Sequence, residues 1–329
     1  MLKLNYNENP TPPYSRFFDH NKQQVNQYNR YPSINGDELI EQLSRYHGFD
    51  VKQIVVGNGS VELISIISNL LALHSASESI LPKSTFAAIP EIFKQNGLKT
   101  HLVPFDNWQI RLDDFLAFIN SDTSLIYLDN PNNPTGSCHR LEEIQSFMNK
   151  VPDHITVIID EAYIEFMSNH EQASSLNLIS QYPNLIVTRT FSKAWGLAAL
   201  RVGYAIGHPK RIKSIKEKRL PFSTNALGLE TAQHLLECRE QLEITRQRNM
   251  IVRQVLFDFF DNQDIQYLPS HTNFVAFKPN SDAWELFEHM QQNRVLLSPL
   301  AQCYMPGFLR ITVGTMEEIK AFIQAYPAC

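Results

Sequence analysis

Short, continuous apolar runs are the feature that most limits the folds available to this 329-residue chain. Runs without polar alternation are typical of strands buried on both faces of a mostly parallel sheet. Helical patterns lie between several of them, including five aliphatic residues at helical spacing between residues 63 and 71. The sequence therefore predicts an α/β fold with helices covering an open sheet. The runs are residues 53–56, 124–128, 155–159, 185–188 and 202–206.

The order of predicted strands and helices changes from about Thr224. Long helical sequence extends to about Asn262, and later apolar runs occupy residues 273–277 and 308–313, with a helical pattern around 284–292 between them. Strands and helices without a long parallel series indicate a second, smaller α+β domain.

Charge, cysteines and hydropathy exclude several classes of protein. The 29 lysines and arginines against 34 acidic residues give a net charge of −5, which disfavours a general nucleic-acid binder. The four cysteines form no Cys-x-x-Cys pair, so we expect no disulfide framework and no metal site. The N-terminus has no apolar signal segment, and the apolar stretch at residues 63–73 is too short for a membrane span. We expect a cytoplasmic protein.

Ligands of an open α/β sheet bind beyond the carboxyl ends of its strands, so the residues that follow each run are candidates. Gly57, Gly59 and Ser60 follow the first run and begin a helix. Exposed backbone N–H groups and the helix dipole would favour a phosphate there. The same residues also suit an ordinary tight turn with Ser60 as the helix cap, so this motif is weak by itself.

Two further strand ends carry polar side chains. Residues 129–136, Asp-Asn-Pro-Asn-Asn-Pro-Thr-Gly, form a turn whose prolines fix the backbone while its asparagines offer amide groups. Asp160 and Tyr163 follow the run at 155–159. A carboxylate at a buried strand end requires a partner, and a cationic ring nitrogen would be one, although Asp160 is also suited to capping the next element.

Lys193 follows the run at 185–188, between Phe191 and Trp195. Most lysines are solvated, but desolvation and the nearby Arg201 would lower the pKa of this one, as an imine-forming lysine requires. Thr190, Ser192 and Arg201 add hydroxyl groups and a cation for an anion. An aldehyde, a ring nitrogen that needs a carboxylate and a phosphate are together the features of pyridoxal 5′-phosphate.

With these motifs, the sequence resembles the fold-type I, class I and II aminotransferases, and specifically the histidinol-phosphate aminotransferase family. The string at residues 189–204, Arg-Thr-Phe-Ser-Lys-Ala-Trp-Gly-Leu-Ala-Ala-Leu-Arg-Val-Gly-Tyr, is highly specific to this group. The similarity extends from Asn-Glu-Asn-Pro at 7–10 to Arg-Ile-Thr-Val-Gly-Thr at 310–315. It implies an N-terminal arm of residues 1–27 that joins the small domain, a large cofactor domain of 28–228 and a small domain of 229–329.

The resemblance also implies roles for single residues. Lys193 would form the Schiff base and move the proton, and Asp160 would keep the pyridine nitrogen protonated. Asn133 and Tyr163 would bind the phenolic oxygen. Phe86 would stack on the ring, and Arg310 would clamp the substrate carboxylate by a bidentate pair, with Asn133 beside it. Phosphate contacts would come from Gly59, Ser60, Thr190, Ser192, Arg201 and, from a neighbouring subunit, Tyr31, which implies a homodimer.

Several positions depart from the family pattern on the substrate side. The arginine that usually helps hold the substrate phosphate is replaced by Ser298. Ile89 stands where a tyrosine is frequent, and Val61 and Glu62 stand where Asp-Glu is usual. Because Asn-Glu-Asn-Pro already stands at residues 7–10, we also expect a shorter N-terminal arm than is usual. These departures affect the identity of the amino donor more than the use of the cofactor.

Three functions remain open on sequence alone. The first is a transaminase that moves an amino group from histidinol phosphate, or a related or aromatic amino acid, to a keto acid such as 2-oxoglutarate. The second is another reaction of the same cofactor, such as decarboxylation of threonine phosphate, or a cyclase, oxidase or lyase reaction. The third is a non-catalytic binding protein, which the intact Lys193, Asp160 and Arg201 disfavour. A nicotinamide-dependent dehydrogenase is a weaker alternative, because the loop at 57–60 lacks the third glycine.

Overall fold

The structure is a computed structural model that describes residues 1–11, 29–73 and 77–327. Its thirteen described strands are β1 Leu2–Lys3, β2 Ile54–Gly57, β3 Glu78–Pro82, β4 Lys99–Val103, β5 Thr123–Asp129, β6 Thr156–Asp160, β7 Leu185–Thr190, β8 Gly203–Gly207, β9 Gln266–Tyr267, β10 Phe274–Lys278, β11 Val295–Leu296, β12 Ser298–Pro299 and β13 Leu309–Thr312. The eleven described helices are α1 Asp37–His47, α2 Ser60–Ala72, α3 Ala88–Gln95, α4 Leu112–Leu116, α5 Leu141–Met148, α6 His170–Ala173, α7 Pro209–Lys218, α8 Ala226–Glu237, α9 Arg239–Asn262, α10 Ala283–Gln292 and α11 Met316–Ala325.

A seven-stranded sheet forms the centre of the larger part of the molecule, in the order β2-β8-β7-β6-β5-β3-β4. Only β8 runs antiparallel to its neighbours, so the prediction of a mostly parallel sheet is confirmed. Each of the five apolar runs that predicted the parallel sheet forms one of its strands, and the two later runs form β10 and β13 elsewhere. The sequence did not indicate β3 and β4, because charged residues begin both strands: Glu78 in β3 binds Lys99 and His101 of β4.

Both faces of this sheet are buried, which explains why its strands are apolar without alternation. In β5, Leu125 and Tyr127 face a core that includes Leu63 of α2 and Phe93 of α3. Ile126 of the same strand faces the opposite core, which receives side chains from α1, α5 and α8. No helix in the described ranges is long and apolar enough to cross a membrane.

The smaller part of the molecule is built on an antiparallel sheet in the order β12-β13-β10-β9. The second half of α9 packs on it together with α10 and α11, through Val252, Leu256, Met290 and Phe322. At the N-terminus, β1 pairs with β11 and Leu4 enters the same core. The N-terminal segment therefore forms a separate two-stranded sheet with β11 and packs on the core of the smaller part of the molecule.

The domain limits inferred from the sequence stay predictions. The predicted end of the arm at residue 27 lies outside the described residues. The predicted boundary at residues 228 and 229 falls within α8, whose Leu229 and Leu235 pack in the core of the large sheet, as does Leu242 early in α9.

Candidate active site

A cavity of about 250 Å³ lies at the carboxyl ends of β2, β5, β6 and β7. Ten of its lining residues were singled out from the sequence: Ser60, Phe86, Asn133, Asp160, Tyr163, Thr190, Ser192, Lys193, Arg201 and Arg310. Six were not: Tyr6, Asn7, Val61, Tyr127, Asp129 and Ala162. Parallel strands bring their carboxyl ends to one edge, which is why residues far apart in sequence meet here.

Two of the predicted phosphate contacts, Gly59 and Tyr31, do not line the cavity. Gly59 precedes α2 and lies beside Arg201 rather than lining the cavity. Tyr31 is 83% exposed, and its ring packs on Phe222 with the centroids 4.7 Å apart. Tyr31 is therefore at the surface and not among the lining residues of the cavity.

Lys193 follows β7, and its amine lies within the cavity. Its Nζ donates a hydrogen bond to the Tyr6 carbonyl at 3.0 Å and lies 5.5 Å from the centre of the Tyr163 ring. Burial, followed by the charges of Arg310 and Arg201, lowers the pKa of Lys193 to about 7. A substantial fraction of this amine is neutral, and thus nucleophilic, near neutral pH.

Asp160 ends β6 and is buried, with 7% of its surface exposed. Its two carboxylate oxygens accept hydrogen bonds from Thr188 at 3.0 Å and from the Tyr127 hydroxyl at 3.1 Å. Burial raises the pKa of Asp160 to about 6, against the effect of these two hydrogen bonds. A cation next to this carboxyl would favour its ionised form.

Hydroxyl groups and a guanidinium gather at the N-terminus of α2. Arg201 Nη1 donates to Ser192 Oγ at 3.1 Å, and the Ser192 N–H donates to Thr190 Oγ1 at 3.0 Å. Gly59 has φ +81°, and a Cβ there would lie 2.6 Å from Arg201 Nη2. With Ser60 at the helix N-terminus, this corner of the cavity suits a small dianion such as a phosphate.

Arg310 of β13 reaches from the small sheet to the cavity. Its Nη1 donates to Asn133 Oδ1, and its Nη2 donates to the Asn5 carbonyl at 2.9 Å. Its Nε is buried and has no partner among the described residues. The Asn133 amide oxygen is thus engaged, and its Nδ2 is left to donate elsewhere.

Sequence reasoning missed Asp129 and the N-terminal segment. Asp129 ends β5 and accepts hydrogen bonds from Thr85, Asn132 and the Asn133 N–H. The signal was present, because Asp129 follows an apolar run as Asp160 does. Asn7 donates from Nδ2 to the Tyr163 hydroxyl at 3.1 Å. In the sequence, the only indication that Asn7 belongs to the site was its position in the Asn-Glu-Asn-Pro motif.

The departures from the family pattern occupy different environments. Ile89 is fully buried in the core between α3 and the large sheet. Val61 lines the cavity, and Glu62 accepts a hydrogen bond from the Asn58 N–H. Ser298 lies on β12 directly opposite Arg310 of β13.

The donor set suits pyridoxal 5′-phosphate. A cavity-lining amine of lowered pKa can take up an aldehyde, and a buried carboxyl can pair with a protonated ring nitrogen. The hydroxyl groups and the guanidinium at Ser60, Ser192 and Arg201 suit a phosphate, and the lack of a Cβ at Gly59 leaves room for that guanidinium. These three requirements of the cofactor are met within one cavity.

The comparisons with known proteins agree with this chemistry. A sequence model of the family described as aminotransferase class I and II matches residues 1–325. Histidinol-phosphate aminotransferase 1 of Mannheimia succiniciproducens is 36% identical over 327 residues, which are 99% of this chain and 88% of that protein. Histidinol-phosphate aminotransferase 1 of Nitrosococcus oceani is 35% identical over 323 residues, which are 98% and 87% of the two chains. The structure of the histidinol-phosphate aminotransferase from Sinorhizobium meliloti in complex with pyridoxal-5′-phosphate aligns with a TM-score of 0.89 at 24% identity, covering 98% of this chain and 89% of that chain.

Proposed function

This chain belongs to the aminotransferase class I and II family and is an aminotransferase that uses pyridoxal 5′-phosphate, and we propose that it takes the amino group from histidinol phosphate. The acceptor is a keto acid such as 2-oxoglutarate. The names of relatives about 35% identical over almost the whole chain support this donor. Decarboxylation, elimination and the other reactions considered from the sequence are not favoured by these relatives. The observation that carries the proposal is the placement of Lys193 and Arg310 in one cavity.

When bound, pyridoxal 5′-phosphate supplies an aldehyde for amines and a conjugated ring that accepts electron density. Lys193 holds the cofactor through Nζ. Because its pKa is lowered to about 7, the same amine can afterwards take and return a proton at the substrate carbon near neutral pH. Its place beside Tyr163 keeps it on one side of the cavity.

Asp160 and the hydroxyl groups orient the cofactor. Asp160 pairs with the ring nitrogen and keeps its proton in place, because the carboxyl is fixed by Thr188 and Tyr127. Phe86 stacks on the ring, and Asn133 and Tyr163 donate to its phenolic oxygen. Ser60, Thr190, Ser192 and Arg201 hold the phosphate, and Gly59 leaves the room for it.

Arg310 binds the carboxylate of the keto acid through its guanidinium fork. The Asn5 carbonyl and the Asn133 amide oxygen hold that fork at the edge of the cavity. The substrate acid competes with these neutral acceptors, and its charge makes it the stronger partner. Histidinol phosphate has no α-carboxylate, and its phosphate is the anion that a guanidinium can bind in that half-reaction.

The working enzyme is a homodimer in which Tyr31 reaches the phosphate of the neighbouring subunit. Tyr31 is exposed on this chain and packs beside Phe222, which is itself 38% exposed. An exposed aromatic pair of this kind suits an interface between subunits. Sedimentation of the cofactor-loaded protein tests the dimer, and Tyr31→Phe tests the phosphate contact through the cofactor dissociation constant.

The donor is tested by following the visible absorption of the bound cofactor while single amines are added without a keto acid. The panel contains histidinol phosphate, histidinol, tyrosine and glutamate, with Lys193→Ala as the blank. We expect histidinol phosphate to bleach the band at a lower concentration than histidinol, which lacks the phosphate. If histidinol phosphate is inert while tyrosine bleaches the band, the donor is an aromatic amino acid. Release of carbon dioxide or ammonia without a keto acid would contradict transamination.

A further inference from the structure

The hydroxyl of Tyr163 has a single hydrogen-bond partner in the described part of the chain, the Nδ2 group of Asn7. An amide N–H₂ can only donate, so the phenol oxygen accepts this bond. The hydroxyl hydrogen is then free, and the ring lines the cavity. The identity of the Asn7 atom that faces Tyr163 therefore decides where the hydrogen of Tyr163 points.

The orientation of the Asn7 amide is fixed by Thr312 of β13. The Asn7 backbone N–H donates to Thr312 Oγ1 at 2.9 Å, which uses that oxygen as an acceptor. The Thr312 hydroxyl in turn lies 3.4 Å from Asn7 Oδ1 and donates to it. With Oδ1 turned to Thr312, Nδ2 faces Tyr163, and the opposite orientation would set the amide donor against the threonine hydrogen.

The backbone of Asn7 is also held. Its carbonyl accepts a hydrogen bond from Asn273 Nδ2 at 3.1 Å, and its φ is +55°, a left-handed conformation that asparagine tolerates better than most residues. Asn7 is buried, with 1% of its surface exposed. Thr312 of β13 and Asn273, which precedes β10, thus fix Asn7 against Tyr163, which follows β6.

We infer that Asn7 is a positioning residue that makes the Tyr163 hydroxyl a hydrogen-bond donor toward the phenolic oxygen of the bound cofactor. The inference rests on the proposed function, because it assumes that the cofactor occupies the cavity with this oxygen toward Tyr163. Donation to the phenolic oxygen stabilises its negative charge. It thereby disfavours protonation of the conjugated nitrogen that joins the cofactor to Lys193.

The readout is the pH midpoint at which the visible absorption band of the lysine-bound cofactor changes. Asn7→Asp keeps the shape and the tolerance of positive φ, but its carboxylate accepts from Tyr163 and turns the hydrogen away from the cavity. Asn7→Gly keeps the backbone conformation and removes the amide. We expect both variants to raise the midpoint by about half a pH unit or more, the value of one ordinary hydrogen bond.

Tyr163→Phe sets the upper reference, and we expect it to raise the midpoint by about one pH unit. Adding Asn7→Gly to Tyr163→Phe should then change nothing further, because Asn7 acts only through the phenol. The charged groups that act on Tyr163, namely Arg310, Asp160, Asp129 and Lys193, are unchanged in all these variants. Asn7→Asp adds a negative charge that also favours protonation of the nitrogen, so Asn7→Gly is the variant that measures the hydrogen-bond effect alone.

Arg248→Gln is the matched control for loosening of the N-terminal segment. Arg248 anchors Asn9 and Thr11 and has no hydrogen bond to Tyr163 among the described residues. Its midpoint should equal that of the wild type. Equal shifts in Arg248→Gln and Asn7→Gly would overturn the inference, as would additive shifts in the double variant. A wild-type protein that develops no titrating band with the cofactor would instead refute the proposed function.

Discussion

Asp129 and Asp160 are direct partners on the neighbouring parallel strands β5 and β6, so two buried carboxyl groups lie side by side at the cavity. Burial raises the pKa of Asp129 to about 7 and that of Asp160 to about 6. Asp160 faces a proposed cation, whereas Asp129 is bonded to Thr85, Asn132 and the Asn133 N–H, all uncharged. Ionisation of Asp129 therefore carries an electrostatic cost that these uncharged donors offset only in part.

Asp129→Asn should change the pH dependence of stability. The unfolded chain releases the Asp129 proton near pH 4, but the folded protein keeps it until about pH 7. Between these values the folded state binds more protons, so this residue makes stability fall as the pH rises. We expect the melting temperature of the cofactor-free variant, relative to the wild type, to rise by a few degrees between about pH 5 and about pH 8.

Asp264→Asn is the control, because Asp264 is exposed and has positive φ, which asparagine also adopts. Its melting temperature relative to the wild type should be the same at both pH values. A difference for Asp129→Asn that is likewise constant would show that Asp129 ionises normally in the folded protein.

Gly59→Ala should weaken binding of the cofactor. The added Cβ would lie 2.6 Å from Arg201 Nη2, so the guanidinium must leave the corner proposed for the phosphate. Losing one charge-assisted hydrogen bond costs about 1.5–3 kcal/mol, so we expect the dissociation constant for pyridoxal 5′-phosphate to rise about 10- to 100-fold. Absorbance titration of the cofactor-free protein measures this constant.

Gly48→Ala separates this effect from backbone strain. Gly48 has φ +76°, close to the +81° of Gly59, but nothing lies within 4 Å of the added Cβ. Each alanine also costs stability through its backbone, about 1–2 kcal/mol at the left-handed Gly48 and about 1–3 kcal/mol at Gly59, whose ψ of 163° lies in a region that essentially only glycine adopts. Only Gly59→Ala should lose affinity for the cofactor; equal losses in both variants would assign the effect to stability.

The sequence predicted the part of this site that the parallel sheet organises. Lys193, Asp160, Asn133 and Ser60 each follow an apolar run, and the carboxyl ends of parallel strands must meet at one edge. Once the runs are identified, convergence of these residues follows without knowledge of the loops.

The part of the cavity that the N-terminal segment forms could not be predicted in the same way. Asn7 and Tyr163 are separated by 156 residues, and their contact depends on the pairing of β1 with β11, two-residue strands with no distinct pattern. Arg310 could be assigned to the site only through the family resemblance. Its contact with Asn133 depends on how the small sheet packs on the large one. Local patterns carry no information about such packing.

Arg310→Lys should raise the Michaelis constant for the keto acid. Lysine keeps the charge but loses the planar fork that matches a carboxylate, and the loss of one charged hydrogen bond corresponds to about a 10- to 100-fold increase. The maximal rate should change much less, since the reacting atoms are untouched. Steady-state kinetics in which the 2-oxoglutarate concentration is varied gives both values.

Arg45→Gln is the control, because Arg45 is exposed on α1, and it should leave both values unchanged. An unaltered Michaelis constant in Arg310→Lys would place the carboxylate elsewhere.

Lys193→Ala should abolish turnover while the protein remains folded. The amine is the only part of the side chain that the proposed reaction uses, and its removal relieves the repulsion between the charges of Lys193 and Arg310. Reduction of the cofactor-loaded protein with borohydride, followed by mass spectrometry, should show one attached cofactor in the wild type and in Lys213→Ala, an exposed lysine variant. Attachment in Lys193→Ala would assign the imine to another lysine.

The rate at which the cofactor-free wild type attaches pyridoxal 5′-phosphate should report the ionisation of Lys193. Only the neutral amine attacks the aldehyde, and burial together with Arg310 and Arg201 lowers the pKa of Lys193 from 10.5 to about 7. Below that value the rate should rise about tenfold per pH unit, and above it the rate should level off. An ordinary lysine would instead give a rate that keeps rising to about pH 10. Stopped-flow absorbance between about pH 6 and about pH 9 distinguishes the two curves, and a continued rise above about pH 8 would show that the amine is not desolvated when the cofactor arrives.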